Sequence, residues 1–317
     1  MKISGFTMLK NASKLYYPVK QSIMSALPIV DEFIVALGDC DADDSSRAEI
    51  ESIGSAKVRI IDSPWDIEKY PRGMEHAHQT DIARAACSGD WLLYLQADEV
   101  LHEEDHEKIA GRCRQLLGDK EVEGLIFNYL HFWGDYGHYH LSHGWYPHEI
   151  RIIRNDPEIH SWESAQSFRR IPGFDGINYR QQQGTHKLNV ASVDARIFHY
   201  GWVRPPSYMM AKRQAFDTNH KGRKQAADIY LHAPKEFDYG PLNLLEEFRG
   251  SHPAVMKEWI SKFDWGDKLQ YGGRPNPYRT MEKHERLRIR LMTFIEQKVL
   301  CGRQIFTFKN YNLLKRK

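Results

Sequence analysis

Short apolar runs alternate with amphipathic stretches along the first hundred residues, and this alternation predicts strands and helices in turn. Four runs have the length and composition of strands, and they cover Ile3–Met8, Glu32–Leu37, Val58–Asp62 and Trp91–Leu95. Apolar residues at helical spacing connect them, over Tyr17–Ala26, Ala48–Ile53 and Glu75–Cys87. Strands that alternate with helices are typical of an α/β fold with a mostly parallel sheet flanked by helices.

After residue 120 the pattern becomes less regular. Three further strands are predicted, and they cover Glu121–Phe132, Glu149–Arg154 and Asp194–Tyr200. A helix is expected to begin at Pro205-Pro206 and to end near Lys224, and a basic amphipathic helix is predicted over Met281–Val299. These changes divide the chain into three parts, residues 1–120, 121–204 and 205–317, the last of them mostly helical.

Acidic residues follow three of the first four strands. Asp39 comes after the second strand, Asp62 ends the third, and Asp98 comes after the fourth. The carboxyl ends of parallel strands meet at one edge of the sheet, where ligands bind in open α/β folds. Carboxylates at such an edge can hold a divalent cation that bridges to a diphosphate. For Asp98 and Glu99 alone the start of an acidic helix is the better explanation, but three acidic strand ends predict a ligand site.

Composition and missing motifs exclude several classes of protein. The net charge of +2 argues against a nucleic acid as the partner. No apolar run is long enough to span a bilayer, and Lys2–Phe6 is typical of a strand and not of a signal peptide. The chain contains neither a Gly-x-Gly-x-x-Gly after the first strand nor a Walker-type Gly-Lys-Ser/Thr, which argues against a dinucleotide-binding fold and a P-loop NTPase.

The cysteines indicate a reducing compartment. They are isolated in the sequence and show no paired metal-ligand spacing: Cys40, Cys87, Cys113 and Cys301. Scattered thiols in a chain of 317 residues fit a cytosolic protein better than a disulfide framework. We therefore expect a cytoplasmic protein.

The strand ends resemble those of glycosyltransferase family 2, whose fold is GT-A. The resemblance is carried by three stretches: Lys10-Asn11, Val35–Ser45 and Ala86–Glu99. It implies that residues 1–120 form the nucleotide-sugar-binding half of a GT-A domain and residues 121–204 its acceptor-binding half. It also implies an inverting transferase that moves a sugar from a nucleotide-sugar donor to a hydroxyl of a glycan or lipid-linked acceptor, assisted by Mg²⁺ or Mn²⁺.

The resemblance also implies roles for individual residues. Asp39 and Asp43 match acids that hold the nucleotide, and Asp98 matches the acid of the Asp-x-Asp motif that is most directly tied to the metal. Gln96 stands where that motif has its first Asp, and His199 is the natural candidate for a second metal ligand. The complete set expected to bind the nucleotide-sugar donor is Thr7, Lys10, Asn11, Asp39, Asp43, Asp62, Gln96 and Ala97.

On the acceptor side the resemblance is loose. An inverting transferase needs a carboxylate that takes the proton of the acceptor hydroxyl, and we predict Glu163 for this role, with Glu149 as the second choice. An ordinary surface glutamate explains either residue equally well.

Aromatic residues are the one compositional excess, with 8 Trp, 16 Tyr and 14 Phe. Several lie near glycine and histidine, and we predict from them an acceptor-side loop built by Trp133, Tyr136, Tyr139, Trp145 and Tyr146. Core packing is the alternative explanation, and for most of these aromatic residues it is the better one.

Basic residues near the end of the chain suggest a contact with a membrane. The helix predicted over Met281–Val299 and the final Lys315-Arg316-Lys317 would place positive charge against an anionic inner membrane surface. A solvated basic helix face is the commoner explanation of the same pattern.

Two other functions remain open from the sequence. A sugar nucleotidyltransferase would share the nucleotide-binding sheet, although it usually carries a glycine-rich loop after the first strand and Thr7–Ser13 contains no glycine. A degenerate GT-A protein that binds sugar without catalysis would explain why Gln96 replaces an acid. The first alternative releases pyrophosphate, whereas a glycosyltransferase releases a nucleoside diphosphate.

Overall fold

The computed structural model describes residues 1–305 and 309–316, and the strands of this part join into one sheet. Lys317, the last residue of the predicted basic tail, lies outside the described residues. The strands are β1 (Ile3–Leu9), β2 (Glu32–Leu37), β3 (Val58–Asp62), β4 (Trp91–Tyr94), β5 (Glu99–Leu101), β6 (Gly124–Trp133), β7 (His138–His140), β8 (His148–Arg154), β9 (Ile159–Trp162), β10 (Ser167–Arg170), β11 (His186–Trp202), β12 (Glu246–Glu247) and β13 (Tyr311–Leu313). The α-helices are α1 (Val19–Ala26), α2 (Ser46–Glu51), α3 (Met74–Ala85), α4 (His106–Leu116), α5 (Pro206–Lys221), α6 (Arg223–Tyr230), α7 (Lys257–Ile260) and α8 (Leu287–Phe294).

The sheet combines a parallel half with a mixed half. Nine strands follow one path in the order β3-β2-β1-β4-β8-β6-β11-β10-β9. The first four are parallel to one another, β8 joins β4 in the antiparallel direction, and β6 and β11 are again parallel. The predicted α/β class is therefore confirmed, and the alternation of strands and helices in the first hundred residues corresponds to the parallel half.

Three elements differ from their predicted bounds. The strand predicted over Asp194–Tyr200 corresponds to the second half of β11, whose 17 residues pair with different partner strands along their length. The helix predicted from Pro205 to Lys224 is interrupted at Gly222, where a φ of 86° ends α5 and α6 begins. The long basic helix near the chain end is α-helical only over Leu287–Phe294, with a π-helical turn after it.

The two faces of the parallel half are covered by different helices. One face buries Phe33, Trp91 and Leu93 with residues of α1 and α4, such as Ile23 and Ile109. The other face buries a cluster that includes Phe6, Tyr94 and Phe168 together with Ala83 of α3. Burial on both faces explains why these strands are nearly continuous apolar runs in the sequence.

A third core is built mainly from aromatic side chains and joins β6, β11 and the residues after α6. Trp133 and Tyr136, two members of the predicted acceptor-side loop, are only 1% and 7% exposed and belong to this core. The indole of Trp133 donates to the carbonyl of Tyr239 at 2.9 Å, and the indole of Trp265 donates to the carbonyl of Gly134 at 2.9 Å. The aromatic residues of this core therefore stabilise the fold of the C-terminal part.

Helix α8 presents apolar side chains to solvent. Leu287, Leu291 and Phe294 follow one another at helical spacing and are 79%, 58% and 59% exposed. Thr293, on the other side of the helix, accepts a hydrogen bond from the backbone N–H of His143. Among the described residues no helix is both long and apolar enough to cross a lipid bilayer. The predicted membrane contact and the division of the chain at residues 120 and 204 stay predictions.

Candidate functional site

A cleft of about 710 Å³ lies at the carboxyl ends of β1 and β4, and α5 forms its opposite side. The residues after β1 and the turn after β4 contribute Lys10, Asn11, Gln96, Ala97 and Asp98 to its lining. Helix α5 contributes Lys212 and Asp217, among others, and β11 contributes His199. The parallel strands thus bring several predicted donor-binding residues to one place, as the position of ligand sites in α/β sheets requires.

At the turn between β4 and β5 the side chains of two adjacent acids, Asp98 and Glu99, point in opposite directions. Glu99 points into the core, where Nε and Nη2 of Arg151 each donate to it at 2.8 Å and the Tyr129 hydroxyl donates to it at 2.8 Å. The backbone N–H of Gln96 also donates to Glu99, at 3.0 Å. Removing one partner of a fully buried ion pair costs about 3–5 kcal/mol, so this pair holds the turn in place. Asp98 consequently faces the cleft.

The carboxylate of Asp98 is buried among the basic side chains of Lys212, Arg204 and His199. Its Oδ2 lies 3.1 Å from Nζ of Lys212 and 3.8 Å from Nη2 of Arg204, while Oδ1 lies 3.8 Å from Nε2 of His199. Burial raises the pKa of Asp98, but Lys212, His199 and Arg204 together outweigh burial and bring that pKa down to about 2. Asp98 is therefore ionised at neutral pH and can act as a ligand of a cation.

His199 is held as a neutral imidazole. Burial lowers its pKa to about 4, against the opposing effect of Asp98. Its Nδ1 lies 2.9 Å from Nδ1 of His131, a residue of β6 that is 1% exposed. A neutral imidazole with one nitrogen engaged in a hydrogen bond is the form in which histidine binds metals.

The residues around Asp98 fit a divalent cation whose remaining ligands would come from the substrate. In the part of the chain that the structure describes, no cluster of three or more His, Cys, Asp or Glu could hold a metal ion. Asp98 and His199 are two residues that could serve as ligands, and Mg²⁺ sites commonly combine one or two protein ligands with substrate phosphates. Gly201 keeps the space beside these ligands open, since a Cβ there would collide with Nε2 of His199 and lie 2.9 Å from Oδ2 of Asp98.

Asp39 lies beside two residues of the cleft lining, Lys10 and Trp65, but does not line the cleft itself. Its Oδ1 is 2.7 Å from Nζ of Lys10 and accepts the backbone N–H of Trp65 at 2.9 Å. Burial raises the pKa of Asp39, but these hydrogen bonds keep it below its usual value. Asp39 is therefore connected to the cleft through the two lining residues that it contacts, and its predicted contact with a donor stays a prediction.

Besides Asp39, three further predicted donor-binding residues do not line the cleft. Asp43 is 75% exposed and pairs with Lys14 at 2.8 Å, and Asp62 is 76% exposed and pairs with Arg47. Thr7 is buried within β1, and its hydroxyl has no hydrogen-bond partner among the described residues. Their predicted contacts with a donor stay predictions.

Neither predicted base lines the cleft directly. Glu163 adopts a positive φ of 57° and lies 3.9 Å from Arg180, while the next residue, Ser164, does line the cleft. Glu149 is buried and accepts hydrogen bonds from the Ser167 hydroxyl at 2.7 Å and from the N–H of Ile150 at 2.9 Å. Burial raises the pKa of Glu149.

Asp217 is a cleft residue that the sequence analysis missed. Of the described acidic residues, Asp98 and Asp217 line the cleft. Asp217 accepts a hydrogen bond from the Tyr230 hydroxyl at 3.0 Å and lies 3.1 Å from Nζ of Lys221. The sequence does contain one indication of this residue: Asp217 follows Arg213 by four residues, so both lie on the same face of the predicted helix.

The chain shares a short stretch of sequence with curated proteins. Over 108 residues it is 32% identical to a protein of Rickettsia felis and 32% identical to one of Rickettsia conorii, each named an uncharacterized glycosyltransferase. The stretch covers 34% of this chain and 32% and 33% of those relatives, so the chain matches about a third of their length. No protein-family model matches the chain.

Two solved structures match parts of the chain at low TM-scores. Glucosyl-3-phosphoglycerate synthase from Mycobacterium tuberculosis, in complex with Mn²⁺, uridine diphosphate and phosphoglyceric acid, is 19% identical, with a TM-score of 0.29 over 40% of this chain and 43% of that chain. TarS from S. aureus, residues 1–349, is 12% identical, with a TM-score of 0.35 over 69% of this chain and 65% of that chain. At these TM-scores the matches establish neither a common fold nor a common ligand.

Proposed function

We propose that the chain is a glycosyltransferase that moves a sugar from a nucleotide-sugar donor to a hydroxyl of a glycan or lipid-linked acceptor. The observation that carries the proposal is the pair formed by Asp98 and His199, which faces a cleft lined by residues after two parallel strands. The cleft volume of about 710 Å³ is typical of sites for small molecules. The curated relatives named glycosyltransferases support the same activity.

The diphosphate of the donor would lie beside Asp98. Asp98 and His199 would hold a Mg²⁺ or Mn²⁺ ion, and such an ion lowers the barrier by several kcal/mol when it neutralises a leaving diphosphate. Lys212, whose ammonium lies 3.1 Å from Asp98, would add a positive charge on the other side of the carboxylate. Gln96 replaces an acid here, so the protein contributes less negative charge to the cation than a second carboxylate would.

The nucleoside would lie at the end of the cleft near β2 and β3. Asp39 can accept hydrogen bonds from the nucleoside, and Lys10 keeps that carboxylate in place. The ring of Trp65 lies at the same end and offers an apolar face against which a base can pack. The donor would also contact four predicted residues that line the cleft: Lys10, Asn11, Gln96 and Ala97.

Transfer with inversion needs a base on the side of the sugar opposite the diphosphate. We assign this role to Glu163, because the neighbouring Ser164 lines the cleft and the Glu163 side chain is 28% exposed. Glu163 would take the proton of the acceptor hydroxyl as that oxygen attacks the anomeric carbon. Inversion itself is an expectation from the resemblance to glycosyltransferase family 2.

Thermal stabilisation by nucleotides tests the donor site. The full-length chain is melted with a panel of nucleoside diphosphates and nucleotide sugars, each with and without Mn²⁺. A ligand at a hundredfold excess over its dissociation constant adds about 2.7 kcal/mol of stability, which is readily detected. We expect a shift that requires Mn²⁺, that is lost in Asp98→Asn, and that persists in Asp194→Asn, whose side chain is 93% exposed.

The outcomes separate the proposal from its alternatives. A shift that occurs with sugars alone, and with no nucleotide, would contradict the proposal and favour a sugar-binding protein. A nucleotide shift that is equal in Asp98→Asn and in the unmodified chain would contradict the placement of the diphosphate.

A further inference from the structure

The imidazole of His199 has a neighbour that determines which of its nitrogens carries the hydrogen. His131 and His199 lie directly opposite each other on the parallel strands β6 and β11, and their Nδ1 atoms are 2.9 Å apart. The other nitrogen of His131, Nε2, lies 2.8 Å from the carbonyl oxygen of Tyr146. Each nitrogen of His131 therefore has one partner, and neither partner is a charged group.

These contacts allow one arrangement of hydrogens when both rings are neutral. The carbonyl of Tyr146 can only accept, so the single hydrogen of His131 is on its Nε2. Nδ1 of His131 is then an acceptor, and Nδ1 of His199 must donate to it. The remaining nitrogen of His199, Nε2, carries a lone pair, and this is the atom that lies 3.8 Å from Oδ1 of Asp98.

The surroundings of His131 support the neutral form and fix its ring. Its side chain is packed against Tyr129 at 5.0 Å between ring centroids, Trp145 at 5.0 Å and Tyr146 at 4.6 Å. A buried position among aromatic rings disfavours an imidazolium ion. Tyr129 is itself held by its hydrogen bond to Glu99, so the ring of His131 rests on the same buried network that orients the turn carrying Asp98.

We propose that His131 is a positioning residue that keeps His199 in the tautomer with hydrogen on Nδ1, so that the Nε2 lone pair of His199 is directed, together with Asp98, at a divalent cation. The inference rests on the proposed function, because that function supplies the cation. In the opposite tautomer Nε2 of His199 would carry a hydrogen that points at the carboxylate of Asp98. That nitrogen would then have no lone pair for a cation. Groups that orient a ligating histidine typically change metal affinity by 10–100-fold.

The tautomer can be observed without any metal. Long-range ¹H–¹⁵N correlation spectra of the imidazole rings distinguish a protonated nitrogen from one that carries a lone pair, and the His199→Gln spectrum identifies the signals of His199. In the metal-free full-length chain at pH 7.5 we expect His199 to be protonated on Nδ1 and unprotonated on Nε2. A hydrogen on Nε2 of His199 would overturn the inference, whether or not the protein is a transferase.

Metal affinity provides the second readout. Binding of Mn²⁺, alone and with uridine or guanosine diphosphate, is followed by the loss of the free-ion electron paramagnetic resonance signal. We expect His131→Leu to weaken Mn²⁺ binding by 10–100-fold. His131→Asn places an amide oxygen near the position of Nδ1 and should recover most of the affinity.

The matched control is His140→Leu. His140 is also a buried histidine, 3% exposed and stacked on Trp145. Its Nδ1 forms a hydrogen bond with the hydroxyl of Ser142 and not with His199. Mn²⁺ binding that is unchanged in His131→Leu, or equally weakened in His140→Leu, would overturn the inference. If His131→Leu does not fold, His131→Asn and the spectra of the unmodified chain decide the question.

The same experiment separates this inference from the proposed function. If the unmodified chain binds a nucleoside diphosphate but no Mn²⁺, the role of His131 and the metal are both overturned and the donor site stands. If it binds neither, the proposed function fails as well.

Discussion

Asp98 and Glu99 are neighbours in the chain and have different roles. Glu99 is fully buried and paired with Arg151, which lies 52 residues further along the chain, and Asp98 faces the cleft. The sequence predicted a ligand-binding role for Asp98 from its place after an apolar strand, and the structure places Asp98 in the lining of the cleft. It did not reveal the role of Glu99, because the partner of Glu99 is brought near only by the pairing of β4 with β8. The same limit applies to His131, whose contact with His199 depends on the register of β6 and β11.

Gly201→Ala tests the space between the two proposed metal ligands. A methyl group there would collide with Nε2 of His199, so we expect Mn²⁺ affinity to fall at least tenfold while both ligands are still present. Isothermal titration of the nucleotide-loaded protein with Mn²⁺ measures the effect. Gly118→Ala is a suitable control, since a Cβ at that position meets nothing within 4 Å. An unchanged affinity in Gly201→Ala would contradict the placement of the ion.

Glu163→Gln tests the proposed base. Loss of a general base typically lowers kcat by 10²–10⁴-fold, and we expect a fall in this range with little change in donor affinity. Steady-state kinetics with the unmodified donor measure both quantities. Glu149→Gln and Asp217→Asn are examined in parallel, since Glu149 was the second prediction and Asp217 lines the cleft. A normal kcat in Glu163→Gln would exclude Glu163 as the base.

Among the elements, those predicted best from the sequence are the four parallel strands and the helices between them. Their apolar runs are local signals, and burial on both faces of the sheet makes the signals strong. The bounds of β11 and α5 were predicted less accurately than those of the parallel strands. β11 pairs with several distant strands, and α5 ends at a glycine that local spacing does not distinguish from a helix interior. The sequence also could not predict that Asp43 and Asp62 pair with Lys14 and Arg47 outside the cleft.

Helix α8 is the element on which the predicted membrane contact can be tested. It exposes Leu287, Leu291 and Phe294, and Arg288 and Arg290 lie between the first two of them in the sequence, a combination suited to an anionic lipid surface. We expect the full-length chain to sediment with vesicles that contain phosphatidylglycerol and not with vesicles of phosphatidylcholine alone. Replacing the three apolar residues by Gln should reduce binding more than tenfold. Equal binding of this variant, or no binding of the unmodified chain, would contradict the prediction.

At the scale of the whole molecule, the aromatic residues that suggested a sugar-binding surface mainly form a core. The buried side chains of Trp133, Tyr200 and Trp265 belong to the core that joins the sheet to the C-terminal part. Composition alone could not distinguish the two uses, because both place aromatic rings beside glycine and histidine. Several of the histidines in that region are buried as well, and burial has a consequence for stability.

His140 and His284 make stability depend on pH. Burial lowers the pKa of His284 to about 4 and holds that of His140 well below its usual value, and the two rings lie 4.7 Å apart. Below about pH 6.5 the unfolded chain binds protons that the folded chain does not, so the free energy of unfolding falls as the pH falls from 6.5 towards 4. Each histidine contributes about 1.4 kcal/mol for every pH unit in this range.

Urea unfolding at pH 7.5 and pH 5.5 measures this dependence. We expect the free energy of unfolding to decrease by about 1–3 kcal/mol through these two residues, and His140→Gln to show a smaller decrease. His232→Gln serves as the control, because His232 is exposed. A pH dependence that is the same in His140→Gln and in the unmodified chain would show that His140 does not contribute.

The transfer of a sugar from a nucleotide-sugar donor is tested most directly by the products that the chain releases. The full-length protein is incubated with Mn²⁺ and a set of nucleotide sugars, with water and simple hydroxyl compounds as acceptors, and the nucleotides are separated by chromatography. We predict release of a nucleoside diphosphate from one donor, reduced at least a hundredfold in Asp98→Asn. Release of pyrophosphate from a nucleoside triphosphate and a sugar phosphate, or binding of a donor without release of any nucleoside diphosphate, would contradict the proposed glycosyltransferase.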